Sequence, residues 1–236
     1  MPDATPPSTA AAPARTVRSF VRRGGRITPG QQRALGRLWP RYGLAFDGGR
    51  LDLDRAFGRH APRTLEIGFG DGETLVALAA AQPSRDFLGV EVHAPGVGHC
   101  LLGAEAAGLA NLRIVQHDAV EVLAQALDAG ALEEVLIFFP DPWPKKRHHK
   151  RRLLQGEFVA LLATRLAPGG RLRLATDWEP YAVAMLEALG ANAAFTNAAA
   201  DGRWVPRPAA RPVTKFERRG TRLGHTVRDL EFERVG

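Results

Sequence analysis

The chain has a single cysteine, Cys100, in 236 residues. An intrachain disulfide and any metal site built on several thiolates are excluded, and Cys100 reads as a small apolar core residue in a reducing compartment. Long hydrophobic runs are missing as well. No apolar stretch approaches the ~20 residues that cross a bilayer, so no membrane segment is expected and the protein is placed in the cytoplasm. No internal repeat is apparent. His93, His117 and Cys100 invite a metal, but their spacing gives no closed ligand set, and none is expected. Acidic residues are the minority charge, 25 Asp and Glu against 32 Lys and Arg, for a net +7. Such an excess points to a polyanionic partner without choosing between nucleic acid and a membrane surface.

At this length, with 45% hydrophobic residues, the chain suits one well-buried α/β domain and is short for two. Met1–Ala14 is rich in Ala, Pro, Ser and Thr and is expected to be disordered. Arg15–Arg26 is Arg-rich and almost free of acids, superficially like a mitochondrial presequence. It lacks a sustained apolar face, and basic arms commonly add phosphate contacts, so an RNA-facing arm is preferred. Residues 1–32 are taken as the arm and 33–236 as the domain.

From Thr64 strands and helices alternate. Strands are expected at Thr64–Ile67, Asp86–Val92, Leu112–His117, Glu134–Phe139 and Gly170–Thr176. Ala- and Leu-rich helices are expected around Glu73–Ala81, Gly98–Ala107, Ala119–Ala126, Leu153–Leu166 and Pro180–Leu189. Alternation of this kind argues for a mostly parallel, Rossmann-like sheet with helices on both faces and ligands at the strands' C-terminal ends. Pro206–Gly236 is polar and basic, then alternates over Thr226–Val235, which predicts an irregular segment leading into a final antiparallel strand.

Leu65-Glu66-Ile67-Gly68-Phe69-Gly70-Asp71-Gly72-Glu73 is a strand, a glycine turn and a helix start. Glycines allow positive φ and close approach of a ligand. A dinucleotide turn spaces them G-x-G-x-x-G around a pyrophosphate; here Gly68, Gly70 and Gly72 alternate. Glu66, Asp71 and Glu73 would repel a pyrophosphate and suit S-adenosylmethionine, which carries an ammonium and a sulfonium and no phosphate. Glu91 ends the second strand about 20 residues on, where an acid accepts ribose hydroxyls. Asp118 ends the third and is placed to accept the adenine amine, or to cap the helix that follows.

The most informative stretch is Phe138-Phe139-Pro140-Asp141-Pro142-Trp143-Pro144 followed by Lys145-Lys146-Arg147-His148-His149-Lys150-Arg151-Arg152. A buried strand stops at a proline turn that fixes a carboxylate and an indole beside a cationic block. Carboxylates accept from base N–H groups, indoles stack and cations neutralise phosphates. A proline turn followed by a solvated charged helix start is the plainer alternative.

With these residues the chain resembles the bacterial tRNA (guanine-N7)-methyltransferases. The likeness rests on Arg18–Arg23 with Gly30-Gln31, LEIGFGDG, Gly89–His93, His117–Ala119, FPDPWPKKRHHKRRL, Ala175–Trp178 and Thr214–Gly220. It covers the chain from about Arg15 to its end. The glycine turn is generic to methyltransferases; the proline block and the TKFE segment together are specific. The resemblance implies a class I S-adenosylmethionine-dependent fold and methylation of the variable-loop guanine, position 46, of tRNA. It implies cofactor contacts from Glu66, Gly68, Gly70, Glu91, Asp118 and Asp141, with Asp141 also catalytic. Lys145, Asp177, Thr214, Lys215, Phe216 and Glu217 would meet the substrate, and Arg147, His148, His149, Lys150, Arg151 and Arg152 the RNA. Arg228 departs from the pattern, which often has tryptophan there. Two rivals are weighed. Exocyclic amino-methyltransferases have an Asp-Pro-Pro-aromatic element, which Asp141-Pro142-Trp143 lacks. A non-enzymatic RNA-binding protein on an old cofactor fold is disfavoured by the intact acids.

Overall fold

The structure, a computed structural model, describes residues 18–20 and 26–236. The expectation of disorder for Met1–Ala14, and most of the arm Arg15–Arg26, lie outside the described residues.

Helix α1, Pro29–Tyr42, was not anticipated from the sequence. Thr28 caps it, accepting from the Gln31 amide while the Gln31 side chain accepts from the Thr28 amide, and Pro29 supplies a preset first turn. The boundary drawn after residue 32 falls inside α1. The helix ends where Gly43 turns against Trp39, since a Cβ there would lie 2.2 Å from the indole. Helix α2, Leu53–Phe57, leads into the sheet.

The remaining elements are β1 Arg63–Ile67, α3 Glu73–Ala81, β2 Asp86–Val90, α4 Ala94–Ala106, β3 Leu112–Val115, α5 Ala119–Gln125, β4 Leu132–Phe138, α6 Gly156–Arg165, β5 Leu166–Thr176, α7 Glu179–Gly190, β6 Phe195–Asn197, α8 Lys215–Arg222 and β7 Arg228–Arg234. A short 3-10 turn, Lys146–Arg151, precedes α6. The sheet runs β3-β2-β1-β4-β5-β7-β6. β1 to β5 pair in parallel, and β7 pairs antiparallel with β5 and β6. The expected mostly parallel sheet with a C-terminal antiparallel strand is observed. β7 is internal rather than an edge, because the three-residue β6 lies outside it and was too short to announce itself.

Two apolar clusters fill the two faces. Leu65, Leu88, Val135, Leu174, Tyr181 and Phe232 belong to one, and Tyr42, Leu75, Phe87, Leu101 and Leu136 to the other. β2 is buried along its whole length, as a two-sided parallel strand must be. β7 instead alternates: Leu230 and Phe232 enter the core, while Glu231 accepts from Arg173, which also pairs with Glu134. That charged ladder makes one end of this face of β4, β5 and β7 polar, which accounts for Glu231 between Leu230 and Phe232 in the tail.

Strand order reverses between β1 and β4, the crevice where such sheets bind ligands. The glycine turn, the proline turn and the end of β5 all open there.

Candidate active site

The glycine turn is held from below and behind. Gly68, Gly70 and Gly72 have φ of 70°, 62° and 80°, which side-chain-bearing residues adopt only at a cost. A Cβ on Gly72 would lie 2.4 Å from the Cys100 sulfur, so Cys100 serves as the apolar backstop of the turn. Glu91 braces it: one oxygen accepts from the Gly70 amide at 2.9 Å, the other from the amides of Val92 and His93. With three backbone donors on two oxygens, Glu91 fixes the turn and keeps about one acceptor site for a ligand.

Glu66 is different. It is 3% exposed, and its Oε2 has no hydrogen-bond partner among the described residues. Burial, then the neighbouring charges of Asp71 and Glu91, push its carboxyl up to about 8. A buried unpaired carboxylate among like charges is poorly placed unless a cation or several donors complete it. The pocket it faces is lined by Glu66, Gly68, Asp71, Phe138, Phe139 and Lys215, among others. The donor set fits the cationic amino-acid end of S-adenosylmethionine.

Asp118 sits at the mouth of a second, larger cleft of about 740 Å³, together with Arg18, Ser19, Lys150, Arg151 and Arg152. One of its oxygens accepts from the Val120 amide at 2.9 Å and caps α5. Burial raises its carboxyl above the ordinary range despite that bond. The capping role is real, and the second oxygen remains for a ligand.

Between the stretches lining the two openings runs the proline turn. Phe139 and Trp143 both have left-handed backbones, φ 52° and 45°, on either side of exposed Asp141. Strained non-glycine residues persist only where surroundings over-determine them, and here the surroundings can be named. The Trp143 indole donates to the Ser19 carbonyl at 3.2 Å, with Arg151 over its ring at 5.0 Å and His148 edge-on at 5.8 Å. Trp143 is a packed turn residue whose faces are taken, so the indole is not an open stacking platform. Arg152 is also inside: buried, it donates from Nε to the Pro142 carbonyl at 3.0 Å and stacks on Tyr181. Its Nε and ring contacts belong to the turn itself, while the residue also lines the larger cleft beside Lys150 and Arg151. Lys145, Lys146, Arg147 and Lys150 are exposed, whereas His148, His149 and Arg151 are half-buried. Desolvation and the cations around it hold His148 below the usual imidazole range.

Asp177 does not cap α7. Trp178 occupies that position, its amide donating to Thr176, and the Asp177 carboxylate instead meets His225 at 3.1 Å and packs against Gly220. Helix α8 thus crosses the C-terminal edge of the sheet. Its start pairs Lys215 with Asp71 and Arg218 with Glu73, and its end reaches Asp177. Thr214 caps α8 by accepting from the Glu217 amide at 3.0 Å. Glu217 is buried and bound by Arg207 and Arg211. Thr214 also lines the pocket with Glu66, its hydroxyl keeping a donor and a second lone pair, whereas Glu217 is engaged by Arg207 and Arg211 rather than by Arg218 or Arg219 at the surface. Of Phe216 only the helical backbone is described.

The residue that sequence reasoning missed is Arg211. It binds Asp229 through two nitrogens at 2.8 and 3.1 Å and Glu217 at 2.6 and 3.2 Å, with its guanidinium 5.8 Å from the rings of both Phe138 and Phe139. An arginine in a polar tail carries no periodic signal, and its two acids lie 6 and 18 residues away.

Among the described residues no group of three His, Cys, Asp or Glu could hold a metal, and no helix is long and apolar enough to cross a membrane. A family model described as "Putative methyltransferase" matches residues 60–230. The tRNA (guanine-N(7)-)-methyltransferase of Halorhodospira halophila is 62% identical over 219 residues, 92% of this chain and 95% of that protein. Those of Leifsonia xyli and Pseudomonas aeruginosa are 58% and 56% identical, covering 94% and 95% of this chain and 97% and 92% of their own lengths. Among solved structures, a variant of a 16S rRNA (adenine-N1)-methyltransferase from Catenulisporales acidiphilia, crystallised with cosubstrate SAM, aligns with a TM-score of 0.56 at 21% identity, over 82% of this chain and 93% of that one. The 16S rRNA methyltransferase KamB also aligns with a TM-score of 0.56, at 16% identity, over 79% and 95%. At those identities the structural likeness speaks for the fold alone.

Proposed function

Because the chain belongs to the tRNA (guanine-N(7)-)-methyltransferase family, we propose that it transfers the methyl group of S-adenosylmethionine to N7 of a guanine in tRNA, the variable-loop guanine at position 46. The observation that carries the cofactor assignment is Glu66, a buried carboxylate with an unpartnered oxygen at the glycine turn.

S-adenosylmethionine supplies an electrophilic methyl on a sulfonium. Glu66 would hold its ammonium end over the glycine turn, Glu91 a ribose hydroxyl through its remaining acceptor site, and Asp118 the adenine amine. Guanine N7 has an in-plane lone pair and no proton. The chain therefore needs no general base there, and its task is alignment and charge stabilisation. Alignment supplies up to roughly 7–11 kcal/mol in ideal cases. As N7 took up the methyl, the electron pair of the broken S–CH3 bond would stay on sulfur as a neutral thioether, and the positive charge would pass to the imidazole half of the base. Asp141, fixed between two strained residues, is the counter-charge and also an acceptor for guanine N–H groups. Asp177 would hold the base from the β5 side. Lys145, Lys146, Arg147 and Lys150 would neutralise the RNA backbone, and a tRNA substrate supports a cytoplasmic location.

Incubating the purified chain with unmodified tRNA and isotopically labelled cofactor, followed by nuclease digestion and mass spectrometry, tests this. The expected product is one 7-methylguanosine in the variable-loop fragment. Label on another atom or another loop would overturn the assignment.

A further inference from the structure

Arg211 is 3% exposed and lies between two acids that are 7% and 6% exposed, Glu217 and Asp229. Glu217 stands on α8, Asp229 on β7, and the Arg211 guanidinium rests against Phe138 and Phe139, the two residues that lead into the turn bearing Asp141. Arg207 adds a third contact to Glu217 at 3.0 Å. As a stability device this cluster is a poor choice, because desolvating charges offsets most of their attraction and an apolar cluster does as well or better. Its distinctive property is geometric. A planar fork that meets two carboxylates with two nitrogens each fixes the direction of both partners, which a point charge cannot do.

We propose that Arg211 is a positioning residue for methyl transfer. It locks α8 across the sheet end and backs the strained Phe139 step, so that the α8 roof and Asp141 keep one relative placement. The roof matters because Lys215 on α8 lines the same pocket as Glu66 and pairs with Asp71 beside it. The step matters because a left-handed Phe139 has no intrinsic preference for that conformation. Arg211 touches neither substrate nor cofactor in this scheme; it acts through Glu217, Asp229 and the two phenylalanines. Thr214-Lys215-Phe216-Glu217 thereby gains a further reading, in which Glu217 is the α8 end of a clamp.

The inference rests on the methyltransferase assignment above, and its test separates the two. Arg211→Lys keeps the positive charge and loses the fork. A triple variant, Arg211→Met with Glu217→Gln and Asp229→Asn, removes the buried charges together and keeps the volume, guarding against a variant that fails to fold. For each, kcat and KM are measured on protein shown folded by thermal melting, and amide hydrogen exchange is followed on α8, β5 and β7 peptides. The expected result is a fall in kcat of roughly 30- to 100-fold, the scale of an ångström misplacement, with KM for tRNA within about threefold. Exchange should accelerate in α8 while β5 peptides are unchanged. Wild-type kcat in folded Arg211→Lys would mean that charge alone suffices and would overturn the proposal, as would unchanged α8 exchange in either variant. If the wild-type chain methylates no tRNA guanine, the functional assignment fails, and α8 exchange alone then decides the positioning role.

Discussion

Glu66 gives the most exacting prediction, because its environment in the ligand-free protein is unfavourable to its charge. Burial and two neighbouring acids raise its carboxyl from the ordinary 4.5 to about 8. At about 1.4 kcal/mol per pH unit this rise corresponds to roughly 5 kcal/mol, an upper bound because water drawn in by the ionised form softens the cost. The sign follows from the direction. The folded protein holds this proton more tightly than the unfolded chain, so the contribution to stability is complete below the unfolded value near 4.5 and is lost as pH rises to about 8. A cationic ligand reverses the preference, favouring the ionised carboxylate, so binding below about pH 8 must release a proton. The dissociation constant for S-adenosylmethionine should fall by up to about tenfold per pH unit between roughly pH 6.5 and 7.5 and level off above the folded-state value. Calorimetry in buffers of different ionisation heat measures the affinity and the proton together. Glu66→Gln should bind more weakly, show no such pH dependence, and melt higher than the wild type at about pH 8.5 when ligand-free. A wild-type affinity that is flat across this range, with no buffer-dependent heat, would refute the reasoning, since Glu66 would then be ionised before the ligand arrives.

Asp141→Ala should nearly abolish transfer in a folded protein, and Asp141→Asn should keep more tRNA binding than turnover; near-normal kcat in either at saturating substrates would remove its electrostatic role. Glu91→Ala should weaken cofactor binding by about one to two decades, the worth of a charge-assisted hydrogen bond, with tRNA affinity unchanged. Because Glu91 also braces Gly70, Glu91→Gln should recover part of the loss, and equal losses in the two variants would exclude bracing as a component. Replacing Lys146, Arg147 and Lys150 together with alanine should lower the log–log salt slope of tRNA binding by about 0.7–0.9 per lost phosphate contact, an unaltered slope making the block a merely solvated surface. Arg152→Ala should lower the melting temperature and leave that slope alone, because its guanidinium serves Pro142 and Tyr181; a slope change would place it among the RNA contacts.

The parallel core was legible because its signals are local and redundant. A strand such as Phe87–Val90 is apolar throughout since helices cover both faces, and each parallel strand is followed within three residues by a glycine, acid or proline that declares the turn. The glycine turn likewise carries its chemistry in consecutive residues. What escaped notice depends on tertiary partners. β6 is three residues long and exists because β7 offers it an edge. α8, Lys-Phe-Glu-Arg-Arg-Gly-Thr-Arg, has too little apolar surface to read as a helix, and is held by Thr214 capping and by ion pairs reaching other elements. The cationic block reads as uniform in sequence, yet the structure divides it, with Lys146 and Arg147 outward and Arg152 inward. No property of an arginine in a run of arginines says which one meets Pro142. Arg228, the departure from the family pattern, fits its site by pairing with Glu179 and lying 5.9 Å from the Trp204 ring.

The arrangement also explains how a chain of net charge +7 keeps an acidic pocket. The proposed sulfonium cofactor and polyanionic substrate require opposite fields, and the fold carries two such fields along the sheet end. Glu66, Asp71, Glu91 and Asp118 supply the floor from β1, β2 and β3, while Lys145–Lys150 project from the turn after β4. The two fields meet at α8. There Lys215 pairs with Asp71 and Arg218 with Glu73 at 3.6 Å, so cations of α8 sit directly on acids of the glycine turn. These pairs are solvent-accessible and each contributes little to stability. Their consequence is competition: a cationic ligand reaching Asp71 weakens the hold of Lys215, and phosphate reaching Lys215 or Arg218 weakens their hold on the acids. Under the proposed function, cofactor and tRNA should each free α8 charges for the other, a coupling with one sign in both directions because binding free energies are reciprocal, and a tRNA affinity unchanged by saturating cofactor would refute it. Arg211 lets that exchange occur without displacing the helix, since its fork keeps α8 on β7 through Glu217 and Asp229 whichever surface pair is broken.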